Sequence, residues 1–193
     1  SGSTSLLTEA SSGLHTRWAP YYERNIRLMG TGPVAKALLT CNFPMTPENG
    51  ETWSDYKTLV AHFPMKSPEG MPTRNDRSVL EQLEYWKMAK LYLTEHNPSV
   101  TITYRPEEKQ ILEDWVVDNI GILSGQAYLP HFDEDIGLQQ MPNRTITEEE
   151  YRSQMAAIAD LNIDMSLVAE FEHEDMTTAS SEAACSSGAC DIL

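Results

Sequence analysis

The chain has 193 residues, enough for one ordinary domain or at most two small ones, and 40% of them are hydrophobic, enough to bury a core. It carries 29 Asp and Glu against 14 Lys and Arg, a net charge of -15. That balance argues against nucleic acid as a partner, because such affinity rests on cations neutralising phosphates. No window approaches the uninterrupted apolar run of a spanning helix, and no basic and apolar leader opens the sequence, so no membrane role and a cytoplasmic location are expected.

Ser1 to Gly13 contains five Ser, two Thr and two Gly. Exposed backbone N–H groups and hydroxyls of this kind suit a phosphate cradle, and equally an ordinary surface loop. His15 to Arg27 mixes Trp18, Tyr21 and Tyr22 with Arg17, Arg24 and Arg27, the one basic patch in an acidic chain. It reads either as an anion or cofactor contact, or as an amphipathic stretch whose rings pack while its arginines pair with carboxylates.

Pro33 to Thr40 predicts a short helix with Pro in its first turn, and Cys41 a small buried thiol at its end. Leu59 to Met65 predicts a buried strand bounded by Pro64 and Pro68, followed by a turn over 67–72. From Asp76 to Glu95 the spacing of Val79, Leu80, Leu83, Trp86, Lys87, Lys90 and Leu91 predicts an amphipathic helix stopped by Asn97-Pro98. Ser99 to Tyr104 reads as a strand. Pro106 to Ile120 reads as a second helix, with Ile111, Leu112, Trp115, Val116 and Ile120 on one side and Gly121 as C-cap. Ser124 to Leu129 is another strand candidate, and helix, strand, helix, strand in this order implies crossovers and a parallel sheet. Thr147 and Glu150 form a capping-box pattern opening a helix striped by Tyr151, Met155 and Ile158. Past Asp164 the periodicity breaks down, and 176–193, small and polar, reads as a flexible tail.

Of three cysteines, Cys185 and Cys190 lie in the last nine residues. Four intervening residues with a glycine allow a dithiol to close to a disulfide and reopen. Rival readings are half of a zinc site, with His173 the nearest further ligand, and two incidental thiols.

The tail Cys185-Ser-Ser-Gly-Ala-Cys190 resembles the terminal cysteine pair of ribonucleotide reductase large subunits. The rest of the chain is similar to the C-terminal part of the adenosylcobalamin-dependent (class II) branch. Ser1-Gly2-Ser3-Thr4-Ser5 resembles the end of that family's substrate-phosphate loop. Ser11 to Tyr22, Phe63 to Gly70, Asn97 to Tyr104 and Ser124 to Pro130 match further family segments, in order.

The resemblance implies an α/β fold, the C-terminal portion of a ten-stranded α/β barrel like that of ribonucleotide reductases and glycyl-radical enzymes, over 1–163, with a flexible redox tail over 164–193. It implies thiyl-radical reduction of ribonucleotides with adenosylcobalamin as cofactor. Ser1, Gly2, Ser3, Thr4 and Ser5 are then expected to bind substrate phosphate, and Cys185 and Cys190 to re-reduce the active-site disulfide, themselves restored by thioredoxin or a similar reductant. The family's Asn-Pro-Cys-Gly-Glu segment, its partner cysteine and most barrel strands are missing, so a larger chain carrying the remainder is the expected partner. Ser1 in place of Met, inside the phosphate loop, suggests a downstream extein or a split gene. Two alternatives stand beside this reading: the same part of a class I large subunit, or a non-catalytic interaction module with a redox-sensing or metal-binding tail.

Overall fold

The computed structural model describes residue 5, residues 10–131 and residues 140–172. They fall into two compact units: one takes the residues up to Asn25 and Phe63–Met155, the other Ile26–His62 and the residues from Ala156 on.

The core of the first unit is the expected helix, strand, helix, strand series. Helix α2 (Val79–Tyr92) starts at Ser78, whose hydroxyl accepts from the Glu81 N–H while the Glu81 carboxylate accepts from the Ser78 N–H. Strand β4 (Thr101–Tyr104) follows, then a 3₁₀ turn over Pro106–Glu108, helix α3 (Lys109–Asp118) and strand β5 (Ala127–Pro130). β4 and β5 pair in parallel, Thr101 opposite Ala127 through Tyr104 opposite Pro130, as the crossover order requires. Val79, Leu83, Trp86, Val100, Ile102, Leu112 and Trp115 pack into one cluster. Trp86 and Trp115 meet edge to face at 6.3 Å, Trp86 donating to the Pro98 carbonyl and Trp115 to Glu84.

The helical stripes differ in detail from the sequence reading. Leu80 and Leu91 face outward, and the buried side of α2 runs through Val79, Gln82, Leu83, Trp86 and Ala89. Gln82 belongs there because it meets a polar need: its amide donates to the Thr103 carbonyl at 2.8 Å and accepts from the Thr103 N–H at 3.0 Å, completing an edge of β4. In α3 only Leu112 and Trp115 are buried; Ile111 is exposed, and so is Ile120, which lies past the end of the helix. The helix ends at Asn119, whose side chain donates to the Trp115 carbonyl. Gly121 is therefore not its cap, and its φ is not positive.

The second half of the basic patch, from Tyr21, lies in strand β1 (Tyr21–Met29). In the first unit β1 pairs antiparallel with β6 (Asn143–Thr145), Tyr22 opposite Thr145 and Arg24 opposite Asn143. Buried Glu23 joins the Arg144 guanidinium at 3.1 Å and the Gln154 amide at 3.0 Å, tying this ladder to helix α4 (Glu148–Ala159).

The second unit contains helix α1, spanning the predicted Pro33–Thr40, and β2 (Met45–Pro47) paired antiparallel with the first part of β3 (Thr58–Lys66), up to His62, through Leu59, Val60 and Ala61, all fully buried. Pro64 lies inside β3 and not at its end. Gly30 is required by close approach: a Cβ there would stand 2.6 Å from the Tyr56 ring. Beyond Asp164, where the periodicity fails, the chain still forms a short helix, α5 (Leu167–Phe171), against α1. Cys41 is buried as expected, its sulfur accepting from the Asp164 N–H at 3.4 Å. Among the described residues there are six strands, in a mixed α/β arrangement.

Candidate functional site

A cavity of about 670 Å³ opens inside the first unit. Its walls come from the irregular run Ala10 to Trp18, from Tyr22 and Arg24 on β1, Arg74 in a turn, Thr101 and Thr103 on β4, Leu129 on β5, and 141–143 leading into β6. On β4 the two threonines share a face because side chains alternate along a strand.

Residues 10–18 have no regular secondary structure and are held by bonds to distant elements. Gly13 takes φ +53°, and a Cβ at that position would lie 2.5 Å from the Ser99 carbonyl oxygen. Only glycine lets the Leu14 N–H reach that oxygen, at 2.8 Å. The next residue, His15, then sits with Nε2 3.1 Å from the Ser99 hydroxyl, and burial pushes its imidazole below the usual histidine value. Arg17 forms a parallel bridge with Thr73: its N–H donates to the Pro72 carbonyl, and the Arg74 N–H donates back to the Arg17 carbonyl. Asp76 stiffens this turn by accepting from the Thr73 N–H and hydroxyl, bonds that hold its carboxyl below the usual carboxylate range. Further along, Ser67 fixes the exit of the segment, donating from its hydroxyl to Ala19 and from its N–H to Pro20.

Arginine dominates the polar chemistry. Arg17 is buried and donates to the Tyr22 hydroxyl at 3.4 Å. The Arg74 guanidinium lies 3.6 Å from the Trp18 ring centre, and the Trp18 indole N–H is held by Thr145. Arg24 lines the same cavity, and its guanidinium makes no hydrogen bond, ion pair or ring contact with a described residue. No Asp or Glu is among the described lining residues. The two readings of the basic patch therefore divide along the segment: Arg17, ahead of β1, and Arg24, on it, line the cavity, whereas Arg27, in the second unit, pairs with Glu48 at 2.5 Å. The arrangement is suited to holding an anion.

Of the residues singled out in the sequence, Ser1, Gly2, Ser3, Thr4, Cys185, Cys190 and His173 lie outside the described residues. Ser5 is described, its carbonyl accepting from the Ala10 N–H at 2.9 Å. Sequence reasoning missed Arg74, Thr101, Thr103 and Asn143 as lining residues. Nothing in a Pro-Thr-Arg-Asn turn or a three-residue strand signals a cavity, since their convergence depends on long-range pairing. Among the described residues no cluster of three or more His, Cys, Asp or Glu could hold a metal ion, and no helix is long and apolar enough to cross a membrane.

No protein-family profile matches the chain. It is 24% identical over 198 residues to the adenosylcobalamin-dependent ribonucleoside-triphosphate reductase of Lacticaseibacillus paracasei, covering 100% of this chain and 26% of that protein. The protein of the same name in Euglena gracilis is 27% identical over 92% of the chain and 24% of its own length; that of Lactobacillus leichmannii is 26% identical over 100% of the chain and 26% of its own length. A crystal structure of a B-12-dependent (class II) ribonucleotide reductase superposes with a TM-score of 0.68 at 22% identity, covering 90% of this chain and 24% of that one, a likeness of fold. The chain thus spans about a quarter of the length of the curated relatives it matches. Its resemblance to adenosylcobalamin-dependent reductases runs along the whole chain and not through isolated motifs.

Proposed function

We propose that this chain is the C-terminal part of the catalytic chain of an adenosylcobalamin-dependent ribonucleotide reductase and works only with the larger chain that carries the remainder. One observation supports the reading above the rest: the segments that resemble the family converge on a single cavity. Ser11 to Tyr22, Asn97 to Tyr104 and Ser124 to Pro130 all contribute to its wall, and Ser67, from Phe63 to Gly70, holds the first of them in place.

On this reading residues 1–163 complete a ten-stranded α/β barrel and 164–193 form the redox tail. Ser1, Gly2, Ser3, Thr4 and Ser5 bind the phosphate of the ribonucleotide substrate, mainly through backbone N–H groups. Each turnover leaves a disulfide between two cysteines of the larger chain. One tail thiolate attacks it to give a mixed disulfide, and the other tail thiol resolves that bond, so two electrons and two protons pass to the barrel and Cys185 and Cys190 become the disulfide. Thioredoxin or a similar dithiol protein then reduces the tail.

The relatives are named as adenosylcobalamin-dependent, and the cavity of the first unit does not by itself fit that cofactor. Pockets of roughly 300–1,000 Å³ suit drug-sized ligands. At about 670 Å³ the cavity lies in that range and is small for a corrin ring with its side chains and nucleotide tail. On this reading adenosylcobalamin is bound by the complete enzyme, and this chain supplies substrate binding and reducing equivalents.

The test is reconstitution. This chain combined with the larger one should reduce a ribonucleotide, and neither alone should do so. Cys185→Ser or Cys190→Ser should abolish turnover supported by thioredoxin while leaving turnover with a small dithiol that enters the barrel directly. Equal loss with both reductants would overturn the shuttle role, and no reduction by the combined chains would overturn the reading as a whole.

A further inference from the structure

We propose that the outer face of helix α2 is a self-complementary docking surface, on which two copies of this chain pair antiparallel about a two-fold axis. The inference uses none of the residues assigned to the reductase reading and stands without it.

The helix has two apolar sides. One carries Val79, Leu83, Trp86 and Ala89 into the core. On the other, Leu80 is 45% exposed, Met88 52% and Leu91 49%. Single apolar side chains on a surface are ordinary. These are not scattered: Leu80, Glu84, Lys87 and Leu91 follow one another at steps of four, three and four residues, the seam spacing at which one helix packs along another. Met88 lies beside that seam, one residue on from Lys87, and widens its apolar strip.

The order of side chains along the seam identifies the partner. Its midpoint falls between Tyr85 and Trp86, with Leu80 and Leu91 equally far to either side, and Glu84 and Lys87 likewise. Turning the helix end for end about that point exchanges Leu80 with Leu91 and Glu84 with Lys87. In an antiparallel pair, Leu80 therefore meets Leu91 of the second copy and Glu84 meets Lys87 of the second copy, each contact occurring twice as a two-fold interface requires. A parallel pair would set Glu84 against Glu84 and Lys87 against Lys87, opposing like charges.

Both charged groups are available for this. Lys87 makes no hydrogen bond or ion pair with a described residue. Glu84 is exposed and accepts from the Trp115 indole N–H at 2.6 Å through Oε1, which orients the carboxylate and leaves Oε2 for a cation. At a net charge of -15 two copies repel at long range, so the paired charges select the orientation in which they meet. A surface built on one helix is small, and its dimer is of the weak, reversible kind.

Sedimentation equilibrium of the full chain over a concentration series tests this directly, with reductant present so that Cys185 and Cys190 cannot link copies. Monomer should give way to dimer, and to nothing larger, as concentration rises through the micromolar range. Lys87→Glu should weaken the dimer about tenfold, because two favourable pairs become two like-charge contacts. Glu84→Lys should weaken it similarly, and an equimolar mixture of the two variants should associate as well as the wild-type chain, since every facing pair is then of opposite sign. Leu80→Asp and Leu91→Asp should each abolish association with the near-ultraviolet dichroism unchanged; both side chains are exposed, so these variants decide the matter even if Glu84→Lys, which loses its bond to Trp115, misfolds. A chain that stays monomeric throughout, a dimer insensitive to Leu80→Asp and Lys87→Glu, or folded charge variants that associate no better mixed than apart would each overturn the proposal. Because the readout is association and not turnover, its failure is distinct from failure of the reductase reading.

Discussion

Helices α2 and α4 open with the same device. Ser78 and Glu81 in one, Thr147 and Glu150 in the other, exchange reciprocal hydrogen bonds between side chain and backbone. In both, the cap backbone N–H is the leading reason that the glutamate carboxyl sits below its usual range. Past the first turn the two differ. α2 buries five residues, with Trp86 fully enclosed, whereas α4 buries none and is held by the Tyr151 ring 5.2 Å from Tyr21 and by Gln154 on Glu23. A helix start is a local event, decided within four residues; what the helix then packs against is not.

Three measurements sharpen this contrast. The largest effect belongs to the core of α2. Trp86→Ala removes a side chain at 0% exposure together with its bond to Pro98, and should cost about 3–5 kcal/mol in urea unfolding. Tyr151→Ala on α4 should cost about 1 kcal/mol, the scale of one aromatic pair. Similar losses would mean that α4 carries burial comparable to that of α2.

Next is Gln82→Leu, nearly the same size and more apolar. A purely hydrophobic view of α2 makes it neutral or stabilising. Leaving the Thr103 N–H and carbonyl without their amide partner should instead destabilise by about 2–3 kcal/mol, with faster hydrogen exchange at Thr103.

The smallest effect tests the similarity of the two helices. Ser78→Ala and Thr147→Ala should each cost about 1 kcal/mol, alike despite the difference in burial. The contribution of each box has a definite pH sign. With the folded carboxyl lowered, it is present above the ordinary glutamate value and lost as pH falls through the lowered one. Both cap variants should flatten the acid limb of the stability profile, and a strongly unequal pair would show that packing, and not the box alone, sets the strength of the cap.

What could be read along the chain follows this division between local and distant. α1 was predicted to the residue, since Pro33 at its first turn and the small apolar run that follows are near-neighbour signals. The parallel pairing of β4 with β5 followed from element order alone. The register of the helical stripes was less legible: Leu80 and Leu91 have apolar side chains at helical spacing and still face outward, while Gln82 turns inward to meet a strand edge. β1 was read as a mixed patch because its alternation is broken by Glu23 and Asn25, both buried through polar partners, Arg144 and the Met141 carbonyl, that lie more than a hundred residues away in the chain. The basic patch itself was visible, but not its division into arginines that face the cavity and one that pairs with Glu48.

The sequence by itself determined what near neighbours decide: the caps, the proline-opened helix, the strand candidates, the order that demands a parallel pair, and the motifs shared with the reductases. Tertiary structure alone decided that Arg17, Arg24 and Arg74 line one cavity, that Gly13 must be a glycine because the Ser99 carbonyl lies against it, and that Gln82 completes β4. The physical reason is range. Capping and propensity act over three or four residues, whereas a cavity exists only once strands and turns from across the first unit have packed, and packing depends on the mutual fit of groups that no local pattern brings together.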